Sequence, residues 1–591
     1  MLITPRIKFN GDSVQCAKWL GFARAKLNAL VASMDKANLD QNRATIYPIP
    51  GVIIDFSKSF SITRINISVA AGVSEEVQRF YQWYWYAILT GGTLHYIVDL
   101  AIDSIQGVWM CGGYSDLGVP GTVYGDNAMV THHDTDGLFL GAKMVTMQTE
   151  FEFANSICID AENSIYITMD FYSDSHLNPY YDPLIPGYGP EYIEYTDSSL
   201  IKFNNLGVVQ WSTKIALSLT KTFHTDSNIG VDGDIYTCGW VQDEDLFHSG
   251  YPNTFESIRW IGFINKFSTT GTLTWKRVIF YSYTGVNPYN RPDGNVKCER
   301  LALDSADNVY SVGLDMGDVN FTNGGGLGFG QGTIFKLNSS GILQWTKQIY
   351  TDDPVLVQYD SFWPTDVVID SEDNVYVLCV HSDRANSMTG YMRYYLVKLN
   401  SSGVIQWQRS ISSPYSGGEG DYVLNGFPAT YPRLAIGSRD EVVMLINAYD
   451  LADEVTAALA GEYIITKFDS TGTLIWFRGM DFVDFNVFFG SVKIDQDGDI
   501  LIGGDLETTL QAFVVKLPGT GAFVGRHMGL QFTAPEVTIG TTGLDIRAAD
   551  SAGKMLNGII LYSSSTGTYA LEDLELTNVT TKILIEEKRS N

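Results

Sequence analysis

Acidic residues recur at turn-like positions along the chain, and the densest run, Asp495-Gln-Asp497-Gly-Asp499, offers alternating carboxylates that could supply oxygen ligands to calcium. A twelve-position calcium loop needs a bidentate Glu at its last position, and that position is Leu506. Asp and Asn also satisfy turn backbone groups directly, so the run reads as a turn and no metal is expected. His132-His133 offers two imidazoles, but it fills a slot where other segments carry Lys-Phe, and it reads as a strand variant. None of the six cysteines lies in a CxxC pair, which indicates neither a zinc site nor a disulfide framework. Glycan cleavage would need two carboxyl groups roughly 5 to 9.5 Å apart. Asp182, Glu191, Asp243 and Asp245 are candidates, yet nothing in their spacing singles out a pair. The expectation is a protein that is not an enzyme and carries no cofactor.

Binding by stacking is the other chemistry on offer. Tyr180, Tyr181, Tyr188, Tyr192, Tyr195, Tyr251, Trp260, Tyr281, Tyr283, Tyr289, Tyr359, Trp363 and Tyr415 fall in segments of variable length. Flat rings flanked by Asp, Asn and Glu suit a sugar, and loops set on a rigid scaffold commonly build binding surfaces.

The scaffold is a two-part strand-and-turn pattern repeated seven times between about 96 and 528. Its first half is Asp, a few small or polar residues, a β-branched residue and an aromatic, as in Asp304-Ser-Ala-Asp-Asn-Val309-Tyr310 and Asp370-Ser-Glu-Asp-Asn-Val375-Tyr376. Its second half is Lys-Phe/Leu-Asn/Asp-x-x-Gly-x-x-x-Trp, as in Lys336 to Trp345 and Lys398 to Trp407. Apolar runs flank each copy, which gives strand, tight turn, strand. Seven four-stranded units in succession make a seven-bladed β-propeller of all-β class. Both kinds of short turn share one face of such a ring. The variable, aromatic-rich loops share the other, which is the expected binding face. Trp211, Trp275, Trp345, Trp407 and Trp476 are expected at equivalent buried sites near blade junctions.

The Asp-x-x-Gly/Asn-x-Tyr half resembles the bacterial and phage propeller repeat often called SBBP. The Asp469-Ser-Thr-Gly472-Thr-Leu-Ile-Trp476 half resembles the tryptophan-docking motif of quinoprotein-like propellers. The resemblance covers about 430 residues and implies the fold, with each Trp packed between blades. Two enzyme families fit less well. The sialidase Asp box places its Trp three residues after Gly, whereas the five intact copies here place it four after. Quinoprotein dehydrogenases carry adjacent cysteines, and none are adjacent here.

Residues 1–95 are expected to form a separate α+β element, either for anchoring or assembly or as an N-terminal cap on the propeller, with an amphipathic helix over Ala17 to Met34 from the spacing of Leu20, Ala23, Leu27, Leu30 and Val31. That element is expected to be dispensable for propeller folding. Residues 529–591 read as a small C-terminal β-domain for oligomerisation, giving a possible homo-oligomer. A net charge of −28 argues against nucleic acid or an anionic membrane as partner. No signal-peptide core and no membrane-spanning segment is read from the sequence. An adhesion-like architecture without a leader points to a virion protein, of tail-fibre or capsid-attached kind. Its partners would be other virion proteins through the N-terminal element and a glycan or protein receptor on the host surface. A bacterial surface lectin or a glycan-cleaving propeller is the alternative.

Overall fold

The computed structural model describes the strands and short turns of seven blades between residues 94 and 521. It also describes a strand at 79–90, short strands between 525 and 588, and three short strands at 2–3, 43–44 and 64–66. The protein is all-β and folds as a seven-bladed propeller. Each blade is an antiparallel sheet whose first strand faces the axis. The inner strands are Leu94–Ile102, Glu152–Ile159, Lys221–Ile229, Val296–Leu303, Ser361–Ile369, Arg433–Ile436 and Val487–Ile494. The helix expected over 17–34 lies outside the described residues. No helix among the described residues is long and apolar enough to cross a membrane.

Blades pack face to face, so both faces of their middle strands are buried. Val375, Tyr376, Val377, Leu378 and Cys379, successive residues of one second strand, have no exposed surface. This is why these strands read as continuous apolar runs rather than alternating ones. The core is a set of wedges, one at each junction between blades. Between the last and first blades, Leu501, Ala512 and Val514 pack with Ile97, Leu100 and Met110.

In both short turns of every blade the fourth residue adopts positive φ. Where the first turn residue is Asp or Asn, its side chain accepts the N–H groups two and four positions on; Gly230, Gly437 and Pro518 lack that cap and keep the backbone turn alone. Asp370 Oδ1 accepts from Glu372 N at 3.0 Å and Asn374 N at 2.8 Å, with Asp373 at φ 62°. Asn400 Oδ1 does the same for Ser402 and Val404, with Gly403 at φ 75°. The Asp and Asn of the repeat are therefore turn-formers. In the Asp-rich run, Asp495 Oδ1 caps Asp497 N and Asp499 N, and its Oδ2 meets Lys516 Nζ at 2.6 Å. The repeat Lys and Tyr close on the same Asp elsewhere. Lys398 Nζ stands 2.8 Å from Asp370 Oδ2, to which Tyr376 Oη donates at 3.3 Å.

The five tryptophans occupy one site each, docked on the next blade. Trp211, Trp275, Trp345, Trp407 and Trp476 donate Nε1–H to the carbonyls of Thr269, Ser339, Ser401, Ser470 and Gly519 at 3.0–3.2 Å. Gly271 illustrates why glycine recurs in the receiving turn. Its φ is 79°, and a Cβ there would lie 2.7 Å from the Trp211 ring. The expectation of burial needs correction, because only Trp476, 7% exposed, is buried and the other four keep partial exposure. Their outer edges sit at the rim of the turn face, where no further layer covers them. Replacing Trp476 with Ala is expected to cost about 3–5 kcal/mol, read as a fall in the midpoint of a denaturant melt, and the other four less.

The ends of the chain depart from the expected boundaries. The seventh blade draws only three strands from residues 487–517, and its fourth is Arg79–Thr90, pairing Phe513 with Ile88 and Lys516 with Trp85. Residues 79–90 thus belong to the propeller and not to a separate N-terminal element. The strands assigned to a C-terminal β-domain also join the blades. Leu530–Thr533, Thr538–Gly540, Leu544–Ala548 and Gly553–Leu556 add to the outer edges of blades six, five, four and three. Ala570–Asp573 then adds to blade one, and Thr577–Lys588 pairs with the closing strand of blade seven. This segment runs around the rim against the order of the blades. Edge strands with unpaired N–H and C=O groups invite such pairing, which is the physical reason a free-standing domain does not form from them.

Candidate functional site

The seven inner strands enclose an axial cavity of about 460 Å³. Its side chains form tiers fixed by distance from the turn that ends each inner strand. Four residues before the turn stand Asp99, Asp226, Arg300, Asp366, Arg433 and Ser491, while Ser156, at the same position of its strand, is fully buried against Thr168 and Ser227 and is not part of the lining. Just before the turn come Ile102, Ile159, Ile229, Leu303, Ile369, Ile436 and Ile494, an aliphatic collar at the turn end. A polar, charged tier therefore lies toward the loop end of the cavity.

Local backbone irregularity presents the charged tier. Six inner strands skip a residue in their pairing just before this position, for example between Ile97 and Asp99, His224 and Asp226, Cys298 and Arg300, and Pro364 and Asp366. Such bulges bend a strand and re-aim the following side chain. The three carboxylates then do the same work. Each accepts the next N–H on its own strand through Oδ1, and an N–H of the following blade through Oδ2. The second contacts are Asp99 to Ile157 N at 3.2 Å, Asp226 to Leu301 N at 3.0 Å and Asp366 to Leu434 N at 2.8 Å. The arginines reach neighbouring carbonyls instead, Arg433 Nε to Gly490 O at 2.7 Å and Arg300 to Thr225 O.

The carboxyls do not share one protonation behaviour. Burial works to raise Asp99, but Lys493 and Arg300, with the Ser491 hydroxyl at 2.7 Å and the Ile157 N–H, outweigh it and hold it below the usual carboxylate range. Burial pushes Asp226 up to about 6, against the opposing pull of Arg300, whose Nη1 is 4.0 Å away, and with help from the Asp99 charge. Burial, with the like charge of Arg300, pushes Arg433 down to about 10. A carboxyl kept ionised and another held partly protonated near neutrality, in one cavity, are the elements of general acid–base catalysis.

None of the sequence-derived candidates is among the described residues that line this cavity. Tyr180, Tyr181, Tyr188, Tyr251, Tyr283, Tyr289, Tyr359 and Tyr415 lie outside the described residues, as do Asp182, Glu191 and Asp245. Tyr192, Tyr195, Trp260 and Tyr281 are described only as backbone, at strand ends. Trp363 packs against the wedge between blades five and six beside residues such as Tyr376 and Leu434, a structural position. His132 and His133 point to opposite faces of their strand, as neighbours in a strand must. His132 stacks on Trp109 at 3.9 Å and stands 3.5 Å from Asp103, while His133 packs edge-on to Phe139. They cannot share one metal. A buried Ser198, Asp170 and His224 set also fails as a nucleophile relay, because the carboxylate, not the imidazole, lies between the other two. The one signal for the axial tier in the sequence is positional: the residue four before each repeat turn.

No family model matches the chain, and no curated protein matches it. Among solved structures it is similar to the NanB sialidase of Streptococcus pneumoniae, at 9% identity over 62% of this chain and 67% of that one, with a TM-score of 0.34. It is similar to a PL25 ulvan lyase at 10% identity, over 74% and 96% of the two chains, with a TM-score of 0.40. A gluconolactonase of Xanthomonas campestris matches at 11% identity, over 77% and 94%, with a TM-score of 0.27. The likeness is distant and assigns no activity to this chain. The expectation of a non-enzyme is nevertheless corrected. The axial carboxyls supply acid–base groups that the loop-centred reading overlooked, so the lack of a carboxylate pair among the loop candidates is no ground for excluding catalysis.

Proposed function

We propose that the protein is a glycan-processing propeller that takes a sugar into its axial cavity and cleaves it by acid–base chemistry. The observation that carries this reading is the charged tier, in which three carboxylates and two arginines on five of the seven inner strands ring one polar well. A sugar hydroxyl both donates and accepts, so a ring that alternates acceptors and donors suits a polyol better than an apolar ligand. Asp226, held up to about 6, is the general acid, and Asp99, held ionised, is the base or the stabiliser of developing positive charge.

The test is to fill the well. Ala302 and Ala435 are both under 6% exposed and line the cavity below the charged tier. Oligosaccharides of a defined panel are titrated calorimetrically and assayed for new reducing ends, with wild type and with Ala302→Phe and Ala435→Phe. At least one saccharide is expected to bind and be cleaved. Both losses should exceed about tenfold in a variant whose melting temperature shows it folded. Binding that survives both substitutions would place the sugar elsewhere.

A further inference from the structure

One tier of the cavity breaks the sevenfold pattern. Two residues before each turn, the inner strands carry Ala101, Cys158, Asn228, Ala302, Val368 and Ala435, all small or short. The seventh carries Lys493. A long cation in a waist otherwise lined by short side chains projects into the lumen, and 43% of its side chain stays open there.

Lys493 is paired with Asp99 by charge and not by a hydrogen bond, its ammonium standing 3.7 Å from Oδ1. Asp99 already takes the Ser491 hydroxyl at 2.7 Å, Leu100 N at 2.9 Å and Ile157 N at 3.2 Å, so the lysine is not needed to satisfy its hydrogen bonds. On the turn face Lys516, Lys467 and Lys398 close on Asp495, Glu441 and Asp370 at 2.6–2.8 Å, while Lys202 and Lys336 stand 3.5 and 3.8 Å from their carboxylates but, at side-chain exposures of 17% and 12%, are far less open than Lys493. Arg300 and Arg433 add positive charge in the tier above, each also bonded to a backbone carbonyl. We propose that the axial well takes an acidic saccharide, whose anionic group reaches the waist and is bound by Lys493. Asp99's charge keeps the lysine above its ordinary value against burial, so the ammonium is present across the neutral range. The proposal rests on the reading of the well as a sugar site and names the class of sugar.

The experiment compares glucuronate with glucose, and with acetate as a bare anion, on wild type, Lys493→Met and Lys493→Arg, by ligand-observed NMR titration. Wild type is expected to bind glucuronate at least about tenfold more tightly than glucose, as a charge-assisted hydrogen bond supplies. Lys493→Met should abolish that preference while leaving glucose affinity within about twofold, and Lys493→Arg should keep most of it. An unchanged preference in Lys493→Met overturns the subsite, as does a wild type that does not prefer glucuronate. Acetate binding as tightly as glucuronate overturns it too, because the site would then be for an anion and not for an acidic sugar. Ala302→Phe separates the two levels. If it blocks glucose and glucuronate equally but no acidic preference exists, only this inference fails. If it blocks neither, the sugar reading of the well fails with it.

Discussion

A chain shortened to begin at Gly92 is expected to lose the stable, cooperatively unfolding ring. The seventh blade would then hold only Val487–Ile494, Ile500–Leu506 and Gln511–Leu517, and Gln511–Leu517 would lose its partner Arg79–Thr90. Propeller blades are held by contact with both neighbours, so an incomplete blade leaves the wedge between blades seven and one open on its outer side. The loss is expected to exceed the about 5–15 kcal/mol by which a domain is normally stable. Circular dichroism melts of the shortened and full chains make the comparison. A peptide spanning Arg79–Thr90, added in trans, should restore a cooperative transition if strand closure is the cause. A shortened chain that melts like the full one would show that closure by this strand is not needed. This reverses the expectation that everything before residue 96 is dispensable for folding.

Asp226→Asn is expected to lower turnover by about 10²–10⁴-fold, the usual range for removing a positioned proton donor, with little change in saccharide affinity. The wild-type rate should fall as pH rises past about 6, because the acid form of Asp226 is lost there. A second readout does not depend on finding the substrate. Asp226 holds its proton up to about 6 when folded but only to the ordinary 3.8 when unfolded. Between those values the folded chain binds a proton that the unfolded chain has released, so the contribution of Asp226 to stability falls as pH rises from about 4 to about 6 and then levels. Two units correspond to about 3 kcal/mol at most. Asp499, also raised by burial to about 6, adds to this fall, whereas His133, held down to about 3 by burial, takes up its proton only on unfolding and opposes it, so the quantity read is the wild-type stability curve minus that of Asp226→Asn, which should fall across this window. A variant with the wild-type slope would mean that Asp226 titrates normally, and it would lose its role as the acid.

What was legible in the sequence is what the turn lattice repeats. Asp370, Tyr376, Lys398, Gly403 and Trp407 recur in register because each makes a contact that every blade needs, so the number of blades could be counted. The axial tier was hidden for the opposite reason. One position per blade carries Asp99, Ser156, Asp226, Arg300, Asp366, Arg433 and Ser491, whose chemistry differs from blade to block-neighbour and shows no repeat. The bulges that re-aim those residues follow no residue type, occurring at Val98, Thr225, Glu299 and Thr365 alike. Arg79–Thr90 carries no turn mark, and its partner strand lies at the other end of the ring, so local pattern could not pair them. Lys493 was in plain sight but meant nothing until its six small counterparts were stacked around the axis.

The rim segment bears on how the molecule is made. Synthesis runs from the N-terminal side, so Arg79–Thr90 emerges before the strands of residues 94–517 and waits for Gln511–Leu517 until all of those have left the ribosome. Long-range pairing of this kind is slow and exposes unpaired edges meanwhile. Residues 530–588 follow at once, and they thread back past the blades in reverse order of birth, ending on the waiting strand itself. A later-made segment thus fastens one made before the blades. The nascent ring stays unsealed until residues 530–588 are out, which makes termination before them far costlier than a loss of equal length from a loop.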